Sequence, residues 1–382
     1  MKDIIRLSLE LNSINDIDIL LERILFEARH ATGADAGTIY TKEGTELLFR
    51  HAQNDTLQKK LNKGDKLIYT TYTVPVNKNS ISGYVAVRGE SLNICDVNQI
   101  EGKDYTFDRK YDDRSGYRTR SMLTVPIKGD TGEVLGVIQI INRKNRSGDI
   151  VCFSDEDELF VKHFAHTASA GLQKAKMTRT LIMRMIQMAE MRDPKETGAH
   201  VNRVGAYSVE IYERWAEDKG ICRAEIDKKR DILRMTAMLH DVGKVGISDT
   251  ILKKPARFTP EEFDVMKTHT TLGADLFSNI ESEFDRVARE IAISHHENWD
   301  GTGYPEGPRG SQIPVFGRIV ALADVYDALS CKRVYKEAWK EDDVLDEIKK
   351  LSGSKFDPEV VEAFFKCLPV IRSAARRYPD KD

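Results

Sequence analysis

The stretch His295-His296-Glu297-Asn298-Trp299-Asp300-Gly301-Thr302-Gly303-Tyr304-Pro305 joins two adjacent imidazoles to a turn bounded by glycine and proline, and it stands downstream of His240-Asp241-Val242-Gly243-Lys244. Imidazole suits iron, zinc and their neighbours, and carboxylate shifts the preference toward hard divalent ions. Working outward, all five histidines after residue 166, namely His200, His240, His269, His295 and His296, fall into one constellation with Asp241 and Asp324. A single His or Asp on a helix is ordinarily a hydrogen-bonded core or surface residue. The series as a whole points instead to a metal-dependent hydrolytic centre. Because His240 and Asp241 are adjacent, imidazole and carboxylate reach the same region from one helix turn, and the carboxylate has two oxygens with which to bridge two ions. Ions paired about 3.5–4 Å apart can activate water and clamp a phosphoryl oxygen during in-line attack.

Beyond Pro194 the chain reads almost wholly helical, with Gly and Pro confined to punctuation, so residues 193–382 are expected to form an all-α bundle whose facing helices supply the ligands. Ahead of it, Ser154-Asp155-Glu156-Asp157 reads as a serine cap with an acidic first turn. The one-face stripe from Leu159 through Phe164, Ala168, Leu172, Ala175, Leu181, Met185 and Met188 makes residues 158–192 a connecting helix, expected to pair with its copy in a homodimer. Packing of that helix on its own domain is the alternative, since the spacing drifts from strict heptads. Residues 1–157 read as an α+β module. Helical apolar spacing over residues 4–30 ends at Gly33, and strand-like runs follow at 37–40, 47–51, 85–87, 122–127 and 134–141, an antiparallel sheet flanked by helices.

The totals set bounds. With 382 residues there is room for two or three domains. A net charge of −3 gives no global attraction for a nucleic-acid polymer or an anionic membrane, and Lys228-Lys229-Arg230 reads as solvated helix surface. Five cysteines without a CxxC pair argue against a disulfide scaffold and a zinc knuckle, and fit a reducing cytoplasm. No uninterrupted apolar run approaches the ~18 residues of a membrane span, so neither signal peptide nor anchor is expected.

Residues 15–170 resemble a GAF domain. The resemblance rests on Ile81-Ser82-Gly83-Tyr84-Val85-Ala86, Leu92-Asn93-Ile94-Cys95-Asp96-Val97, Ser121-Met122-Leu123-Thr124-Val125-Pro126 and Gly132-Glu133-Val134-Leu135-Gly136-Val137. It implies a sensory role, through an unidentified small ligand or through dimerisation alone. Asn142-Arg143, Phe153 and Asp155-Glu156 match the family's nucleotide-binding signature only loosely.

Residues 183–370 resemble an HD-GYP domain, a branch of the HD superfamily of metal-dependent phosphohydrolases. The match takes in His240-Asp241 with Lys244, His269, His295-His296-Glu297, Asp300 to Pro305, Arg318-Ile319 with Ala323-Asp324, and Arg333 with Tyr335-Lys336, and nothing in the core pattern is missing. The resemblance implies a cytoplasmic signalling enzyme that opens the bacterial second messenger cyclic di-GMP to linear pGpG, and further to GMP, by a metal-bridged hydroxide. His200, His240, Asp241, His269, His295, His296 and Asp324 would hold the ions, with Lys244 and Asp241 catalytic. Glu196 and His200, four residues apart, would add a third ion; capping of the helix by Glu196 is the alternative. Tyr304, Arg333 and Lys336 would bind substrate. A ligand set of imidazole and carboxylate without thiolate favours iron, with manganese as the alternative. The rivals are an HD hydrolase of another nucleotide, a diiron oxygenase, and a catalytically silent binding module.

Overall fold

In the computed structural model Asp16 caps α1 (Ile17–Thr32) by accepting from the amides of Asp18 and Ile19, and Gly33 closes the helix in the left-handed region at φ 67°. Seven strands follow, β1 (Ala34–Glu43), β2 (Glu46–Asn54), β3 (Thr73–Pro75), β4 (Leu92–Ile94), β5 (Met122–Lys128), β6 (Val134–Lys144) and β7 (Ile150–Val151). They form one antiparallel sheet in the order β3-β2-β1-β6-β5-β4, with β7 on β6. The structure describes residues 10–11, 13–62, 66–67, 72–190, 198–331 and 339–380. They fall into two units, Met1–Thr178 and Arg179–Asp382.

In the first unit the strand alternation sorts side chains to two faces. Ile138 and Ile140 of β6 and Leu123, Val125 and Ile127 of β5 meet Leu20, Leu21, Ile24 and Leu25 of α1 and Val161, Phe164, Ala168 and Leu172 of α4 (Asp155–Glu190). On the other face Val137, Tyr40 and Phe49 pack on Val85 and Ala86 of α2 (Ile81–Arg88), and the short α3 (Lys110–Ser115) lies between β4 and β5 in the chain. Each such side chain, fully buried, contributes about 1.5–3 kcal/mol.

Two expectations are corrected here. Residues 85–87 are helical, because Ser80 caps α2 by accepting from the Gly83 amide and Gly89 ends it at φ 65°, so local caps override the β-branched pair. Cysteine pairing is also present: Cys95 at the end of β4 forms a disulfide with Cys152 just after β7, while Cys222, Cys331 and Cys367 are free. Their sequence separation of 57 carries no spacing signal; only the sheet brings them together. Asn142, Arg143 and Asp157 are engaged internally. Asn142 accepts from the Arg120 amide at 2.7 Å and donates to Tyr117 Oη and the Arg118 carbonyl, and Arg143 pairs with Asp157 at 2.6 Å.

The helix α4 is capped as its sequence suggests, with Ser154 and Asp157 each accepting from the other's amide. It runs unbroken for 36 residues and leaves Leu159, Met177, Leu181, Met185 and Met188 exposed. Among the described residues no helix is long and apolar enough to cross a membrane.

Among its described residues the second unit has no strand and is built of helices, α5 (Gly198–Asp218), α6 (Arg223–Thr236), α7 (Pro260–Lys267), α8 (His269–Asp275), α9 (Glu283–Ser294), α10 (Val315–Ser330), α11 (Glu341–Lys350) and α12 (Pro358–Arg377), with shorter turns and loops between. The helix α10 is apolar on nearly every side, with Phe316, Ile319, Val320, Leu322, Ala323 and Tyr326 all buried, and therefore forms the axis of the bundle. Tyr326 bridges Tyr207 of α5 and Phe364 of α12, at ring distances of 5.4 and 5.0 Å. Because its core faces are consumed this way, the two acidic residues of α10, Asp324 and Asp327, stand out as exceptions that need partners.

Candidate metal centre

His240 and Asp241 lie between two 3-10 turns, Ala237–Leu239 and Val242–Gly246. Gly243 lets this turn press against α8, since a Cβ there would collide with the His269 carbonyl and the Gly273 amide. His295 and His296 follow the last turn of α9, Asp324 projects from α10, and His200 comes from the first turn of α5.

Three of the rings, those of His240, His269 and His295, are oriented by a backbone carbonyl at Nδ1. The Nδ1 of His240 lies 2.9 Å from the Ala237 carbonyl, that of His269 2.7 Å from the Met266 carbonyl, and that of His295 3.0 Å from the Ala292 carbonyl. A carbonyl only accepts, so Nδ1 carries the proton in each ring and Nε2 presents a lone pair to the centre. Asp241 divides its carboxylate. Oδ1 stands 3.1 Å from His269 Nε2 and 3.4 Å from His295 Nε2, while Oδ2 stands 3.4 Å from His240 Nε2 and 2.7 Å from Lys244 Nζ.

Two ligand sets result: Asp241, His269, His295 and His296 in one, His200, His240 and Asp324 in the other, each with its ligand atoms within 4.8 Å of one another. His269 Nε2 and His295 Nε2 face each other at 3.4 Å, and with both protons on Nδ1 neither can donate to the other. Lone pairs converging in a buried place repel unless a cation lies among them, so the donor set fits divalent metal.

The protonation states agree with that use. Burial pushes the His295 and His296 imidazoles below their usual range, which keeps them neutral. Burial disfavours the Asp241 carboxylate, but Lys244 and then His240 outweigh it and hold the carboxyl well below its ordinary value. Burial raises the Tyr304 phenol, which stays protonated. The Tyr304 ring lies 4.9 Å from that of His296, and the Tyr304-Pro305 bond that follows it is cis.

Every sequence-predicted site residue within the described part converges here: His200, His240, Asp241, Lys244, His269, His295, His296, Tyr304 and Asp324. Glu196, Arg333 and Lys336 lie outside the described residues. Two buried acids beside the centre were given no role of their own by the sequence. Asp327 accepts from Arg203 at 2.6 and 2.9 Å and lies 2.8 Å from His200 Nδ1; burial disfavours its carboxylate, but His200 and Arg203 keep it ionised. Its signal was its place three residues after Asp324. Glu297 accepts from the amides of Glu306 at 2.8 Å and Gly307 at 3.1 Å, which fixes the loop bearing Tyr304.

A family model described as HD domain matches residues 166–360, half of the chain. The chain belongs to the HD-domain family. Ahead of the HD domain, a GAF-domain model matches residues 16–172. Among curated proteins, the chain is 43% identical over 195 residues to a cyclic di-GMP phosphodiesterase of Thermotoga maritima, covering 51% of this chain and 50% of that protein. It is 40% identical over 237 residues to a cyclic di-GMP phosphodiesterase of Vibrio cholerae serotype O1, covering 59% and 48%. A 3'3'-cGAMP-specific phosphodiesterase 2 of the same organism is 40% identical over 185 residues, covering 48% and 34%. The chain thus spans about half or less of the length of these relatives.

Proposed function

We propose that this HD-domain protein is a divalent-metal-dependent cyclic di-GMP phosphodiesterase, yielding pGpG and then GMP. One observation carries the reading: Asp241 offers one oxygen to His269 and His295 and the other to His240, the arrangement a bridging carboxylate needs for two ions. Two relatives named cyclic di-GMP phosphodiesterases support the substrate. The relative named for 3'3'-cGAMP supports a second reading, another cyclic dinucleotide at the same centre.

In this reading His200, His240, Asp241, His269, His295, His296 and Asp324 hold two ions, iron first and manganese as the alternative, and Glu196 joins His200 for a third. Ions held there supply Lewis acidity toward water and a phosphoryl oxygen. Lys244, beside Asp241, neutralises charge that grows on the phosphoryl group. Tyr304 offers a ring face and a protonated hydroxyl to the substrate, and Arg333 and Lys336 bind the phosphate that is not cleaved. The division of labour is a GAF sensor over 1–157 with an unidentified ligand or none, a connector over 158–192 that pairs in a homodimer, and the enzyme over 193–382. A nucleotide second messenger as substrate implies the cytoplasm as the place of work.

The test is elemental analysis of anaerobically purified protein beside turnover of cyclic di-GMP, for wild type and Asp241→Ala. Two or more ions per chain with turnover, and neither in the variant, is the expected result. Full turnover by Asp241→Ala would overturn it.

A further inference from the structure

The helix α7 is held firmly yet buries none of its residues. Thr259 and Glu262 cap it reciprocally and Pro260 opens it, while Phe263 remains 43% exposed. A single exposed aromatic is unremarkable by itself. Phe263, however, is the outer member of a series of rings that begins at the metal centre. The His296 ring lies 4.9 Å from Tyr304, and Tyr304 meets Phe263 edge-on at 6.2 Å. Lys267 completes the group, its Nζ standing 4.8 Å from the Phe263 ring centre and 5.9 Å from that of Tyr304. The ammonium is paired with Asp264 at 2.8 Å, an exposed pair that costs little to exchange for another acceptor.

We infer that Phe263 and Lys267 form a guanine-reading platform at the rim of the metal centre, a specificity element that rests on the cyclic dinucleotide reading above. A phosphate at the ligand sets directs its nucleoside outward past Tyr304, where the Phe263 face is available for stacking. Stacking tolerates any base, because every base has a π-face. Discrimination comes from Lys267. Guanine presents O6 and N7, two acceptors on one edge, and an ammonium satisfies both; adenine replaces O6 by an amino donor, which a second donor cannot pair with. A cation already poised against two ring faces needs little reorganisation to reach that edge.

The experiment measures kcat and KM of the metal-loaded full chain on cyclic di-GMP and on cyclic di-AMP. Wild type is expected to favour the guanine compound. Lys267→Met, which keeps the length of the stem and removes the charge, is expected to lower that preference about tenfold through a higher KM for cyclic di-GMP, and Lys267→Arg to restore it. Phe263→Ala is expected to raise KM about tenfold for both compounds, with Phe263→Trp restoring it. An unmoved preference in Lys267→Met, including a parallel loss on both compounds in that variant, or an unchanged KM in Phe263→Ala would each overturn the inference while leaving the phosphodiesterase reading intact, and a wild-type preference for adenine would overturn the inference together with cyclic di-GMP as the substrate. A wild-type protein that binds metal but hydrolyses neither compound overturns both.

Discussion

Asp327 reaches the ligand sets through His200, and it decides how that ring stands. Its carboxylate lies 2.8 Å from His200 Nδ1 and carries a fork of two bonds from Arg203, so it fixes the ring plane and directs Nε2 toward Asp324, 3.5 Å away. Asp327→Asn is expected to weaken the ion on the His200, His240 and Asp324 side about 10–100-fold, with the Asp241 set retained, as read by chelator competition on folded protein. Equal weakening of both sites would show that Asp327 supports the bundle rather than one ring. The buried imidazoles give a second expectation. His295 and His296 have depressed values in the folded chain, so as pH falls below about 6.5 the unfolded chain takes up protons that the folded chain refuses. The metal-free protein should therefore lose stability between pH 7.5 and 5.5, seen as a falling urea midpoint for the helical unit. The Asp241 carboxyl, held low, draws on a separate window below about pH 4 and leaves that interval alone.

Among the elements, the edge strand β4 and the entry to α4 are tied together. The Cys95–Cys152 disulfide closes a separation of 57 residues, and Asn93 donates to the Phe153 carbonyl at 2.9 Å beside it. Chain entropy assigns a closure of this length about 4 kcal/mol. Reductant, or Cys95→Ser with Cys152→Ser, is expected to lower the urea midpoint of the GAF unit while the helical unit unfolds as before, and a thiol count should rise from three to five on reduction, from Cys222, Cys331 and Cys367 to all of them. An unchanged midpoint would mean that the hydrogen bond alone secures the junction. Strands β1, β2, β5 and β6 were legible in sequence as strand-like runs between turns, whereas α2 was read as strand because three residues with two valines outweighed a cap that only Ser80 and Gly89 supply. Short elements are set by their ends, and end signals are weaker than periodicity.

For the whole molecule, α4 runs without a break from Asp155 to Glu190 and exposes Leu181, Met185 and Met188 at helical spacing. If copies pair along it, a change at the GAF domain can bias the enzyme only by favouring one helix arrangement over another. Inserting residues that rotate the helix near Lys176 is expected to change basal turnover severalfold; a monomer at micromolar concentration with kinetics indifferent to the insertion would contradict it. Residue type and local spacing were enough to reveal an α+β module, a long helix and an all-α bundle, together with the histidines and aspartates fit for metal, because caps, periods and ligand chemistry are properties of neighbouring residues. Tertiary structure alone decided which Asp241 oxygen faces which imidazole, that Asp327 orients His200, that Cys95 meets Cys152, and that Phe263 and Lys267 stand beside Tyr304. Those relations join segments far apart in the chain, and their distances follow from how the core around α10 and the sheet pack, which no local pattern encodes.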